Sequence, residues 1–359
     1  MKKEVHFDGI GHQEAMDHIA HEHGIVTSTN TGNLVITDHI NKIKNMALII
    51  DFVESVKKCK RAFFSSESIL SKDRFMKSAM QIYKWFPEVT TSDEPGFFYG
   101  PEINAFFRVV DRLGIRGLEL HSKACPVGNG ESIMNELIKE LKKELHSSRY
   151  KVELRAELKA SKRRYRSAVK YLMSLLGLHA KILPVSIDRH YLGEWSKRFD
   201  ESDARRHREM FIEELSKHQE LSCMVGYIIK IEEGKVKGIH SHDTYFFDGS
   251  KHKNAAYLAD KIGSLWRSMM GRERAYYFNC HLNPSRYRHR CVGMLEYSDG
   301  KSIDNMIQSI AYQTKPDRFL QSRRSAKGNL FTRGKIRRPS VKRHGRPRRK
   351  NGAFDSRSI

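Results

Sequence analysis

The chain has 359 residues, 39% apolar and 30% charged, long enough for two or three domains with substantial cores. Lys and Arg number 65 against 42 acidic residues, and the net charge of +23 points to a polyanionic partner, most commonly nucleic acid. No run approaches the roughly 20 apolar residues of a membrane-crossing helix, so no membrane partner is expected.

The start, Met1–His6, lacks the apolar core of a signal peptide. Five cysteines (Cys59, Cys125, Cys223, Cys280, Cys291) without C-x-x-C spacing read as free thiols of a reducing cytoplasm. Residues 1–33 hold His6, His12, His18, His21 and His23 with no regular apolar pattern and read as a flexible His-rich terminus. From Val35 to Val56 the apolar positions Ile40, Ile43, Ala47, Ile50 and Val53 recur at helical spacing. Met76–Trp85, Glu102–Leu113 and Glu131–Leu145 continue in that style, so 34–148 is expected to be mainly helical, its role unknown. Pro87, Pro95-Gly96 and Gly100-Pro101 punctuate a loop around Phe97-Phe98-Tyr99, an aromatic triplet expected to be buried. Arg149–Lys170 carries nine Lys/Arg against Glu153 and Glu157. The span 149–177 reads as a basic helix or linker, either a solvated face or a phosphate-binding one, with Arg163 and Arg164 as the candidate DNA contacts.

After Gly177 the texture changes. Lys181–Arg189 reads as a strand, placed by Pro184 at an edge or bulge. Asp200–Gln219 reads as a charged helix, Cys223–Ile231 as a strand, and Glu232–Gly234 as the turn into Gly238–Gly249. In that last stretch, G-I-H-S-H-D-T-Y-F-F-D-G, the period of two puts His240 and His242 on one face with Thr244 and Phe246. Two imidazoles so placed can reach one divalent cation. A tight hairpin sets Tyr227 about opposite His240. Helix Asn254–Met270, strands Ala275–Cys280 and Arg290–Tyr297, and a helix from Ile303 to Thr314 complete the region. The expected fold class is α+β, an antiparallel sheet covered by helices on one face.

In the last helix Ile303, Met306, Ile307 and Ile310 form an apolar stripe, with Tyr312 nearly opposite and Lys315 on its side. A phenol becomes a useful nucleophile when a cation stabilises its phenolate, or when a metal polarises the phosphate it attacks. Residues 323–359 read as a disordered basic tail: Arg318–Lys350 holds 14 Lys/Arg and no acid, broken by Gly328, Gly334, Pro339, Gly345 and Pro347. Arg323, Arg324, Arg337, Arg338, Arg346, Arg348 and Arg349 are its candidate DNA contacts, expected to bind in a salt-dependent way.

The order strand, His-x-His strand, helix, Tyr-x-x-Lys resembles the HUH superfamily of rolling-circle replication initiators, relaxases and related transposases. More closely, residues 180–322 resemble the inovirus-type gene-two protein family, also described as the YagK/YfjJ C-terminal domain. The matching phrases are I-L-P-V-S-I-D-R-H-Y, G-I-H-S-H-D-T-Y-F-F-D-G-S-K, Y-L-A-D-K-I-G-S-L-W, A-Y-Y-F-N-C and A-Y-Q-T-K-P-D-R-F-L. The resemblance implies an HUH endonuclease-like domain over 178–322 and a phage- or prophage-type replication initiator in a bacterial cytoplasm. It implies single-strand DNA nicking and joining, with His240 and His242 holding Mg²⁺ or Mn²⁺. Tyr312 would form a 5′-phosphotyrosine link and Lys315 would steady the phenolate or the phosphate. The implied partners are a single-stranded or nicked DNA origin, a host helicase and a polymerase. The third metal ligand of the family is often an acid; Glu232 and Glu233 read as too far away in the turn, which leaves Asp188 and Glu296. Ser241 stands where the family usually carries a bulky apolar residue. A non-catalytic DNA-binding prophage regulator on the same fold is the alternative reading.

Overall fold

The computed structural model describes residues 38–60, 62–68, 73–93, 97–120, 129–234, 238–282, 293–315, 321–322 and 329–336. The first part is helical: α1 (Asp38–Lys58), α2 (Arg74–Lys84), α3 (Phe86–Thr90), α4 (Pro101–Leu113) and α5 (Gly130–His146). Local chemistry starts these helices. Asp73 and Asn129 accept hydrogen bonds from the first-turn amides of Phe75 and Glu131, and Pro101 opens α4. Their apolar stripes meet in one core, where Phe52, Ile82, Phe106, Val110 and Leu137 are fully buried. Burial of each such side chain contributes about 1.5–3 kcal/mol by transfer from water. Phe97–Phe98 is a short strand, β1, paired antiparallel with Gln321–Ser322, and Tyr99 packs half-buried with its ring 6.1 Å from that of Phe107.

α6 (Ser148–Leu178) runs 31 residues, about 46 Å at 1.5 Å per residue. It belongs to two cores. Tyr150 is buried among the first helices, while Ala168, Leu172, Leu175 and Leu176 are buried against the sheet. Of the two forms expected for 149–177, a basic helix or a linker, the segment takes the helix, and its apolar positions from 168 onward recur on one face.

The sheet is built from β2 (Lys181–Tyr191), β3 (Met224–Gly234), β4 (Gly238–Asp248), β5 (Ala275–Asn279), β6 (Leu295–Glu296) and β8 (Phe331–Arg333), β7 being Gln321–Ser322. Its order is β5-β2-β4-β3-β8 with β6 also on β2, and every pairing is antiparallel. The fold class is α+β. β2 is central, so Pro184 does not mark an edge strand. It pairs with Phe246 on one side and falls, on the other, between the stretches that pair with β6 and with β5, where no strand needs its missing N–H. Of the strand expected at Arg290–Tyr297, residues 295–296 are in the sheet, and 290–292 lie outside the described residues.

β8 corrects the expectation of a tail disordered throughout. Phe331 is buried, Leu330 accepts from the Ile231 amide at 2.8 Å, and Arg333 donates to Ser167 at 2.8 Å. Leu330-Phe331 is an apolar pair inside a basic stretch, and docking it covers the open edge of β3. The His-rich run at 1–33, Cys125, Cys291 and Arg323, Arg324, Arg337, Arg338, Arg346, Arg348 and Arg349 lie outside the described residues.

Helices cover both faces of the sheet, not one. After α7 (Trp195–Arg198), α8 (Glu201–Lys217) and α9 (Ala255–Met270) pack Phe211, Leu258, Ile262 and Trp266 onto Val185, Ile187, Ile229, Tyr245 and Phe247. On the opposite face α6 and α10 (Gly300–Thr314) pack Leu172, Leu175, Ile303, Met306 and Ile310 onto Ile182, Ile228 and Phe246. No helix among the described residues is long and apolar enough to cross a membrane.

Candidate metal centre and nucleophile helix

By strand alternation His240, His242 and Thr244 share the face of Phe246, the one covered by α6 and α10. Lys230 and Glu232 on β3, and Asp188 and His190 on β2, lie on that face too. The β3–β4 pairing sets Glu232 opposite His240 and Lys230 opposite His242. One ligand atom each from Glu232, His240 and His242 lies within 4.8 Å of the others, and His242 Nε2 is 3.7 Å from Glu232 Oε2.

This overturns the expected hairpin. β3 runs on through Gly234, Tyr227 faces Tyr245 rather than His240, and the pairing is centred on position 236. Glu232, set aside as part of a turn, is the acid that joins the histidines. A signal for the true register was present in Gly234 and Gly238, which pair with each other. Gly238 has φ +60°, and a β-carbon there would strike the Ser196 carbonyl, so the start of β4 requires glycine.

Each imidazole is oriented through its other nitrogen. His240 Nδ1 donates to the Gly238 carbonyl at 3.0 Å, and His242 Nδ1 donates to Asp188 Oδ1 at 2.7 Å. Such bonds fix the tautomer that presents Nε2 as a donor of its lone pair. Asp188, a candidate third ligand in the sequence, is therefore the group that orients the His242 imidazole. Glu296, the other candidate, pairs with Lys181 at 2.7 Å near the far end of β2. Lys230 is buried, with its ammonium 2.6 Å from Glu232 Oε1. Ser241 is also buried, on the other face of β4, between Arg189 and Ile231. Two imidazoles and a carboxylate brought together in this way fit a divalent cation.

Asp299 caps α10 by accepting from the Ser302 amide at 3.1 Å, and Ile303, Met306, Ile307 and Ile310 are buried. Tyr312 is 41% exposed. Its neighbour Gln313 donates from Nε2 to Thr244 Oγ1 at 3.0 Å. Thr244 lies two residues beyond His242 on the same face, about 6.6 Å along the strand. The Lys315 ammonium sits over the Tyr312 ring, 4.0 Å from its centroid.

The end of α10 is tied to α6. Ser161 Oγ donates to the Thr314 carbonyl at 2.7 Å, and Arg164 donates to the Lys315 carbonyl at 3.4 Å. Arg164, expected to touch DNA, thus satisfies a helix C-terminus, whereas Arg163 is exposed. The basic excess read over Arg149–Lys170 extends well beyond these two arginines. Lys151, Arg155, Lys159, Lys162, Arg166 and Lys170 are all exposed and recur every three or four residues, a stripe of charge about 28 Å long on α6. The spacing itself was the signal.

No protein-family profile, curated protein or solved structure matches this chain.

Proposed function

We propose that this chain is a metal-dependent endonuclease that cuts and rejoins single-stranded DNA through Tyr312, on the plan of the HUH family that residues 180–322 resemble. The observation that carries the reading is the Gln313–Thr244 hydrogen bond. It ties the tyrosine-bearing turn to the strand face that gathers Glu232, His240 and His242. When bound there, Mn²⁺ or Mg²⁺ would polarise the scissile phosphate, and the mixed imidazole and carboxylate donors favour Mn²⁺ of the two.

The residues of the chain supply the rest. Tyr312 Oη attacks phosphorus while its proton passes to water. The bond to the 3′ oxygen breaks, the oxygen takes up a proton as a free 3′-OH, and the phosphate stays on Tyr312 as a 5′-phosphotyrosine. Lys315 favours the phenolate by its charge. The covalent link keeps the energy of the phosphodiester, so a 3′-OH can reverse the attack and reseal the strand. The α6 stripe and the basic tail bind the DNA backbone through phosphates.

A second reading, a non-catalytic DNA-binding regulator, is favoured by one contact: Lys230 already gives the Glu232 carboxylate a cation at 2.6 Å. A nicking assay decides between the two. Wild type and Tyr312→Phe are incubated with circular single-stranded DNA and Mn²⁺, and covalent adducts are resolved on denaturing gels. A metal-dependent adduct in wild type alone is expected. An adduct that persists in Tyr312→Phe removes Tyr312 as nucleophile. Strand binding without an adduct, on the native origin region as well, leaves the regulator.

A further inference from the structure

We infer that Tyr276 is a stacking platform for one base of single-stranded DNA, placed beside the metal donors; the inference rests on the single-strand reading above. In the sheet Tyr276 pairs with His190, His190 with His240, and His240 with Glu232. One row across β5, β2, β4 and β3 therefore carries all four side chains on a single face. The His190 and His240 rings stack at 5.4 Å with planes 12° apart, and the Tyr276 ring follows at 6.0 Å and 33°. The inner rings are buried, but Tyr276 is 46% exposed. Two strand spacings place it about 10 Å from His240.

A lone exposed tyrosine needs no explanation. Here two other features point to a ligand. The first is rigidity. Tyr277 turns the opposite way onto α9, where a β-carbon on Gly263 would strike its ring, and Asn279 donates to the Ala256 carbonyl at 2.9 Å. The strand is thus fixed from behind, and Tyr276 presents a ring that loses little freedom when a base settles on it. The second is charge. Arg272 and Arg274 precede Tyr276 and are exposed, accompanied by Glu273, which pairs with Arg274 at 3.2 Å. Arg274 reaches to Trp195, a partly buried ring of the α8–α9 core, where Arg198 joins it, 4.5 and 4.9 Å from the ring centroid. An exposed ring with exposed arginines two and four residues before it on the chain is the composition that takes an unpaired base and its phosphates. A duplex keeps its bases stacked on one another and has none to offer.

Fluorescence anisotropy of mixed-sequence single-stranded 20-mers on the full chain, without metal, tests the platform. Tyr276→Ala is expected to weaken single-strand binding roughly 5- to 100-fold and to leave blunt-duplex binding unchanged. Tyr276→Trp retains the affinity and shows that a ring, not the fold, was lost. Photocrosslinking with 5-bromouracil in the same strands is expected to label Tyr276. Equal single-strand binding by wild type and Tyr276→Ala, or an equal loss for duplex, overturns the platform. So does a wild type that binds no single strand. An adduct in the nicking assay with no effect of Tyr276→Ala sinks the platform alone; Tyr276-dependent binding with no adduct sinks the nickase alone.

Discussion

The two faces of the sheet bury adjacent polar residues of β4, and they treat them in opposite ways. On the α8–α9 face Asp243 accepts from Arg189 and from the Tyr245 hydroxyl, and the guanidinium lies over the rings of Phe211 and Trp266 at 4.6 and 4.7 Å. Burial alone would lower the proton affinity of Arg189, but Asp243 overrides it. Burial, reinforced by Asp243, also holds the Tyr245 phenol well above its ordinary value, so it stays a neutral donor. Cation, anion and donor answer one another. On the α6–α10 face Glu232, His240 and His242 bring three electron-pair donors together from two strands, each held from behind by Lys230, Gly238 or Asp188. The first cluster pairs an anion with a cation and a hydroxyl donor and reads as structure. The second sets two imidazole nitrogens beside a carboxylate that the Lys230 ammonium meets through Oε1, a group that could hold a metal ion.

Breaking the closed cluster should have the largest effect on folding. Asp243→Ala leaves Arg189 buried without its anion, and a loss of about 3–5 kcal/mol is expected in urea unfolding, the same with and without Mn²⁺. A loss no larger than that of a surface substitution would dissolve the contrast between the faces. Glu232→Gln should act in the reverse way. At a Mn²⁺ concentration about 100 times Kd, wild type gains about 2.7 kcal/mol of stability, and the variant is expected to lose most of that gain when thermal unfolding is compared with chelated protein. A smaller effect follows one step back from the donors: Asp188→Asn should weaken Mn²⁺ binding about 10- to 100-fold by calorimetry. Gln313→Leu sharpens the comparison further, since it touches the site face without touching a donor. Mn²⁺ affinity should stay at the wild-type value while adduct formation slows roughly 2- to 10-fold.

The smallest effect is that of pH. Burial lowers the imidazoles of His207 and His281, which take part in hydrogen bonds to the Tyr191 hydroxyl and the Ser186 amide, both at 2.9 Å. The unfolded chain then binds protons more readily than the folded one. Their contribution is complete above about pH 6.5 and is lost as pH falls through the lowered folded values. Urea midpoints at pH 8 and pH 5.5 measure the slope, and His281→Asn should flatten it.

The parts legible in the sequence share a physical origin. The helix at 303–314 and the His-x-His strand were readable because periods of 3.6 and 2 are properties of the local backbone. The same reasoning sorted Tyr312 away from the buried stripe of α10. It missed Glu232, because a shift of the hairpin centre by a few residues leaves every local pattern intact while changing each cross-strand partner. It assigned Arg164 to DNA, because charge does not reveal that a helix end needs a donor 151 positions away. It left Phe331 in a disordered tail, because one apolar pair among basic residues carries no periodicity.

By itself, then, the sequence determined the order of helices and strands, the pairing of two imidazoles on one strand face, and a strong excess of positive charge. Those depend on neighbours within a few residues and on composition. Only the tertiary structure decided that Glu232 joins the histidines, that Gln313 anchors the tyrosine turn to their face, and that Tyr276 ends a row of rings beginning at His240. These depend on strand register and on which helix covers which face, both settled when distant segments bury their apolar sides together.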